Sequence, residues 1–190
     1  IKETLIALDQ LVKDKKVGHI GGSNMWTWQL AKSLWICNDL DLERFETIQT
    51  HYNLCYREEE REMIPFCEDQ NISILPYNPV AKGFLSGKYN RNTKNESIRF
   101  KTDPGLAAKF FKPEDFDVLD MVIQIANEKD VKPAQIAIAW LLTKTITSPI
   151  IGVTKKSHVE EAVDALDIKL TNDDIKRLEE PYQVHSINHL

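Results

Sequence analysis

Apolar residues recur along the chain at two periods, and each period predicts an element. Leu5, Leu8, Leu11 and Val12 fall at helical spacing with Lys2, Glu3, Asp9 and Lys13 between them, which predicts an amphipathic helix over residues 2–15. Val17-Gly-His-Ile-Gly-Gly-Ser23 predicts a short strand ending in a glycine turn. Trp28, Leu30, Ala31, Leu34 and Trp35 return to helical spacing over 26–36, and Phe45-Glu-Thr-Ile-Gln-Thr50 predicts a second strand. Residues 58–69 are charged outside and apolar at Met63, Ile64 and Phe66, a third helix with Pro65 as a possible kink. Ile72-Ser-Ile-Leu-Pro-Tyr77 is almost continuously apolar, as a strand buried on both faces should be.

The rhythm breaks over 78–112, where Pro79, Gly83, Gly87, Pro104 and Gly105 predict a long loop of the kind that is functional or mobile. Helical pattern resumes over 114–129 and over 133–144, the latter opened by Pro133. Pro149-Ile-Ile-Gly-Val153 predicts a fourth strand and 156–166 a further helix. Thr171 is the expected N-cap of the last helix, with acids in its first turn, and Pro181 stops it. Strands alternating with helices mean βα units and a parallel sheet, a curving sheet or barrel wall with the helices on one side.

Composition narrows the class. With 190 residues, 42% apolar and 28% charged, the chain is an ordinary globular one with no sign of a linker, repeat or low-complexity segment. A net charge of −5 argues against nucleic acid as the main partner. Ile136-Ala-Ile-Ala-Trp-Leu-Leu142 is the longest clean apolar stretch and is too short to span a membrane. Cys37, Cys55 and Cys67 form no CxxC pair and fit a reducing, cytoplasmic setting. The sequence begins at Ile1 directly in a helical pattern, so an upstream segment is expected.

In parallel α/β proteins, chemistry gathers at the carboxyl ends of strands. Four such ends are polar or aromatic here: Ser23-Asn24, Gln49 with His51-Tyr52-Asn53, Tyr77-Asn78-Pro79, and Gly152-Val153-Thr154-Lys155. Any one of them alone reads as turn, cap or rim chemistry. Together they suggest an amide-rich, aromatic-walled cleft for a planar polar ligand. Thr154-Lys155-Lys156 opens a helix, which makes either an anion site or a pair of solvated lysines in an electrostatically poor place. Ala81-Lys-Gly-Phe-Leu-Ser-Gly-Lys-Tyr89 is either a phosphate-closing loop or plain turn chemistry. Neither GxGxxG nor GxxxxGK[ST] occurs. His19, His51, His158, His185 and His189 show no metal-ligand spacing. Arg57-Glu-Glu-Glu-Arg-Glu62 reads as a solvated helical face with i,i+4 ion pairs, and Cys55 lies in no nucleophile motif.

In order and at these spacings, four motifs resemble the aldo-keto reductases, NADPH-using (β/α)8 barrels, and in particular their fungal aryl-alcohol-dehydrogenase-like branch. They are Gly22-Ser-Asn24, Gln49-Thr-His-Tyr-Asn-Leu-Cys-Tyr-Arg57, Pro76-Tyr-Asn-Pro-Val-Ala-Lys-Gly-Phe-Leu-Ser-Gly-Lys-Tyr89, and Pro149-Ile-Ile-Gly-Val-Thr154 with His158 and Glu161. The resemblance covers nearly the whole chain and implies that residues 1–190 are the C-terminal half of one barrel domain, strands five to eight. It implies that Ser23, Asn24 and Gln49 hold the nicotinamide carboxamide and that Tyr77 stacks on the nicotinamide ring. Asn78, Pro79, Val80, Gly83, Leu85 and Lys88 would line the pyrophosphate tunnel, with Gly152 beside it. Thr154, Lys155, His158 and Glu161 would hold the adenosine end and its 2′-phosphate.

Two departures matter. Many relatives carry Gln or Arg at the position of His158 and Asn at that of Ala162, so one adenine contact is missing. The family's proton-transfer set of Asp, Tyr, Lys and His belongs to the first half of the barrel, and no residue here matches it; His51, Tyr52 and Tyr56 are not at those positions. The expected parent reaction is NADPH-dependent reduction of a small aldehyde or ketone, or the reverse oxidation of an alcohol, with this chain inactive alone. The alternatives are a non-catalytic nucleotide-binding or interaction module that self-associates through half-barrel edges, and an unrelated α/β protein for a phosphorylated metabolite.

Overall fold

A computed structural model describes residues 1–91 and 110–184 of the chain. The expected loop therefore lies partly outside the described residues, as do His185 and His189. Elements follow in the order α1 (Lys2–Lys13), β1 (Ile20–Ser23), α2 (Thr27–Leu40), β2 (Phe45–His51), α3 (Met63–Gln70), β3 (Ser73–Tyr77), α4 (Pro113–Glu128), α5 (Pro133–Leu141), α6 (Lys156–Asp164) and α7 (Asn172–Glu179). Short 3₁₀ turns stand at Glu58–Glu60, Ala81–Ser86 and Ala165–Asp167. The strands form one parallel sheet in the order β1-β2-β3, which is the α/β architecture the alternation predicts.

The fourth strand is a correction. Residues 149–153 make a single parallel bridge, Tyr77 with Ile150, and no ladder. The Thr147 amide donates to the Ile74 carbonyl and the Ile150 amide to that of Pro76. The donors are thus three residues apart and their acceptors two, so pairing slips by one residue, as in a bulge. Pro149 also brings no N–H, and β3 itself ends where Asn78 turns into the left-handed region at φ 65°.

Local chemistry explains most of the helix ends. Thr171 accepts a hydrogen bond from the Asp174 amide while the Asp174 carboxylate accepts one from the Thr171 amide, a reciprocal cap. Pro113 and Pro133 stand in first turns, where a missing N–H costs nothing. Pro65 does not kink α3, because the helix starts at Met63 and places it in the first turn.

Two apolar clusters hold the fold. One, around Leu5, Leu30, Ile48, Cys67 and Ile74, packs α1, α2 and α3 against the sheet. The other joins the β2 end, the 3₁₀ turn at 81–86, α4, α5 and α7 around Trp140, Phe84, Phe116 and Leu119. Phe84 is fully buried and contacts the rings of Tyr89, Phe110, Phe111 and Phe116. The start of the long loop is therefore pinned by an aromatic anchor, not free to wander.

The acidic run is the second correction. Glu58 and Glu59 are buried, not on a solvated helical face. Arg57 forms a double hydrogen bond to Glu60 and a third to Glu179 of α7. Tyr52 donates to Glu60, Tyr182 to Glu58, and Trp140 to Glu179. The Arg57 guanidinium also lies over the Trp140 and Tyr182 rings, at 5.7 and 5.2 Å. This knot ties the loop after β2 to the C-terminal helix.

Candidate functional site

The sheet brings the predicted strand-end residues side by side. Ser23 is the register partner of Gln49, and the Asn24 amide donates to the Gln49 carbonyl. His51 is the partner of Tyr77. Across the three strands the Tyr77 hydroxyl donates to Asn24 Oδ1 at 2.9 Å. Burial pushes the Tyr77 hydroxyl up from its ordinary pKa. Ser23 and Asn24 are exposed while Gln49 and Tyr77 are half-buried, so a hydroxyl, two amides and an aromatic ring stand together at the strand ends. That donor and acceptor set suits a planar carboxamide.

A second group of predicted residues lines one cleft of about 380 Å³. Asn78, Pro79, Val80, Gly83 and Lys88 form one wall, and Gly152, Thr154, His158 and Glu161 the other. The first wall is shaped by left-handed backbone at Asn78 (φ 65°), Ala81 (φ 49°) and Lys82 (φ 56°), with Gly83 at φ 93°. Asn78 Oδ1 accepts from the Lys82 amide and so braces that turn. The second wall is the start of α6. Its first turn has no side-chain cap and no acid, and Lys155 and Lys156 stand there instead. Neither Lys88 nor Lys155 makes an ion pair with another described residue. Lysines at an uncapped helix start favour an anion in front of them.

Two predicted residues are placed otherwise. Leu85 is fully buried in the aromatic cluster and does not reach the cleft wall. Lys155 stands beside the cleft as the N-cap residue of α6 and is not among the lining residues. Sequence reading missed the floor, which α5 supplies through Ala134, Gln135 and Ile138. Gln135 accepts from the Lys132 amide and donates to the Glu161 carbonyl, locking α6 onto α5. The lone Gln at the head of an otherwise apolar run was the available signal. Lys132 also holds the Glu161 carboxylate by an ion pair. Among the described residues no cluster of His, Cys, Asp or Glu is arranged to hold a metal, and no helix is long and apolar enough to cross a membrane.

Residues 1–183 match the model of the aldo/keto reductase family, and the chain belongs to that family. It is 36% identical over 192 aligned positions to versiconal hemiacetal acetate reductase of Aspergillus parasiticus, covering 98% of this chain and 54% of that protein. It is 36% identical over 186 positions to the Saccharomyces cerevisiae protein named "Putative aryl-alcohol dehydrogenase AAD16", covering 96% and 53%. To aldo-keto reductase AMT2 of Alternaria alternata it is 35% identical over 183 positions, covering 96% and 48%. The chain thus spans about half the length of these relatives. Among the relatives are fungal proteins named as reductases and as aryl-alcohol dehydrogenases.

Proposed function

We propose that these 190 residues are the cofactor-binding, C-terminal half of a single NADP-dependent aldo-keto reductase barrel, with β1, β2, β3 and the segment at 149–153 as strands five to eight. The observation that carries the reading is the cleft itself. It joins the turn after β3 to the start of α6, and its first lining residue, Asn78, directly follows Tyr77 of the strand-end group. An extended dinucleotide needs such a path, with amide partners at one end and cationic, helix-start partners at the other.

In this reading Ser23, Asn24 and Gln49 hold the carboxamide and Tyr77 carries the ring. Asn78, Pro79, Val80 and Gly83 pass the pyrophosphate, with Lys88 near its charge. Gly152, Thr154, Lys155, His158 and Glu161 receive the adenosine end. The reduced cofactor, when bound, supplies the hydride for reduction of an aldehyde or ketone; an aryl alcohol is the corresponding product class. No residue among these 190 matches the family's Asp, Tyr, Lys and His set, so the chain alone binds and orients without delivering a proton to the substrate oxygen. Buried free thiols at Cys37, Cys55 and Cys67 fit a reducing, cytoplasmic setting. The outer edge of β1 has no strand neighbour among the described residues, which favours pairing with another segment or a second copy.

Titration with NADPH, followed by nicotinamide fluorescence, and size-exclusion chromatography test this. Saturable binding without aldehyde-dependent NADPH oxidation is expected. Turnover of an aromatic aldehyde by the 190-residue protein contradicts the non-catalytic part, and absence of binding contradicts the cofactor role.

A further inference from the structure

His51 is absorbed by none of the roles above, yet it sits at the centre of the strand-end group. It is the last residue of β2 and buried. Its ring stacks on Tyr77 with centroids 5.3 Å apart and planes 14° apart, and on Tyr56 at 4.5 Å and 14°. Its Nε2 lies 3.1 Å from Asn53 Nδ2 and 3.2 Å from Asn78 Nδ2.

The two amides fix which form of the imidazole is present. Asn53 Oδ1 accepts from the Cys55 amide while Asn53 Nδ2 donates to the Asn78 carbonyl. Asn78 Oδ1 accepts from the Lys82 amide. Backbone partners thus orient both side chains, and each turns an N–H toward His51. Two donors meeting at Nε2 require a lone pair there, so the ring is the neutral tautomer with its proton on Nδ1. A proton on Nε2 would face two others.

The same contacts connect two parts of the site. The Tyr77 ring is held on its face by His51 and at its hydroxyl by Asn24. Asn78, the first residue of the cleft wall, is held by His51 and Asn53 together. We propose that His51 is a positioning residue: as a neutral double acceptor it sets the plane of the Tyr77 ring and the start of the cleft, and so governs binding of the nicotinamide end of the cofactor. This rests on the cofactor reading above, and it deepens that reading.

The test compares two ligands and one spectrum, all with the 190-residue chain. Adenosine 2′,5′-bisphosphate probes the adenosine end alone, whereas NADPH probes both ends. His51→Phe keeps a stacking ring and removes the acceptor. It should weaken NADPH about tenfold, the scale of one or two buried donors left unpaired, and leave the bisphosphate within about twofold. His51→Gln restores an acceptor and should recover part of the NADPH affinity. In ¹⁵N-labelled wild-type protein, His51 should show a protonated Nδ1 and an unprotonated, hydrogen-bonded Nε2 near pH 7. Equal loss of both ligands in His51→Phe, no loss of either, or a protonated Nε2 would each overturn the proposal. If wild-type protein binds neither ligand, the cofactor reading fails, while the ¹⁵N spectrum still decides whether the acceptor clamp exists.

Discussion

Two polar regions of this molecule, the knot around Arg57 and the cleft beside α6, are in opposite states. Around Arg57 the cation is fully partnered inside the protein: Glu60, Glu179, Tyr182 and Trp140 enclose the guanidinium, and Lys144 completes the set at Glu179. Burial pushes the Glu179 carboxyl up, but hydrogen bonds from Lys144 and Trp140 and the Arg57 charge bring it below its ordinary range. Around the cleft, Lys88 and Lys155 have no ion partner among the described residues, and α6 begins without a cap. Saturated polar groups hold the fold together, and unsaturated ones at a strand end are what a ligand can use. The difference is one of geometry, since charge content alone would rank the Arg57 run first.

The largest expected effect breaks the saturated side. Arg57→Ala leaves the half-buried Glu60 without its cation and Glu179 with Lys144 alone, and should cost about 3 kcal/mol in denaturant unfolding. Lys155→Ala should change stability by less than about 0.5 kcal/mol. Comparable losses from both would erase the contrast.

Glu59, a buried acid of the same run, sharpens it. Burial raises its pKa from 4.5 to about 7, with a hydrogen bond from Thr50 opposing and the charge of Glu58 adding. Between these two values the unfolded chain has released a proton that the folded chain still holds. Stability therefore falls as pH rises through that window, and the full penalty is present above pH 7. Glu59→Gln should be more stable than wild type at pH 8 by about 2–3 kcal/mol, with the gain vanishing near pH 4.5. Thermal unfolding at the two pH values measures this, and a pH-independent difference would assign the effect to something other than titration.

A smaller effect concerns the backbone of the cleft wall. Gly83 stands at φ 93° with open space where a Cβ would be, so Gly83→Ala tests conformation and not packing. It should cost about 1 kcal/mol of stability and weaken NADPH binding through the altered turn. The smallest stability effect belongs to Lys155→Ala, whose signature is instead a severalfold loss of NADPH affinity, about the value of one partly screened charge contact. Calorimetric titration against an unchanged melting curve would show it.

Much of the fold was legible in hydrophobic periodicity. The helix at 2–15, the strands at 45–50 and 72–77 and the Thr171 cap lie within a few residues of their observed bounds, because local pattern and tertiary burial agree there. The segment at 149–153 reads as a strand by composition, and only its register against β3 shows why it pairs at one residue. Glu58 and Glu59 read as solvated because burial of an acid depends on tertiary partners outside the run itself, Tyr182 for Glu58 and Thr50 for Glu59. The cleft walls were legible as strand-end motifs. Its floor was less so, since Gln135 is the one polar signal in a helix whose apolar pattern otherwise gives no sign of which face meets a ligand.

The most direct measurement is equilibrium titration of the folded 190-residue chain with NADPH, with adenosine 2′,5′-bisphosphate as competitor and Lys155→Ala as control. Saturable binding, displaced by the bisphosphate and weakened in the variant, is the expected result. A chain that is folded by circular dichroism and gives no saturable, competable signal would contradict the assignment of the cleft to a dinucleotide.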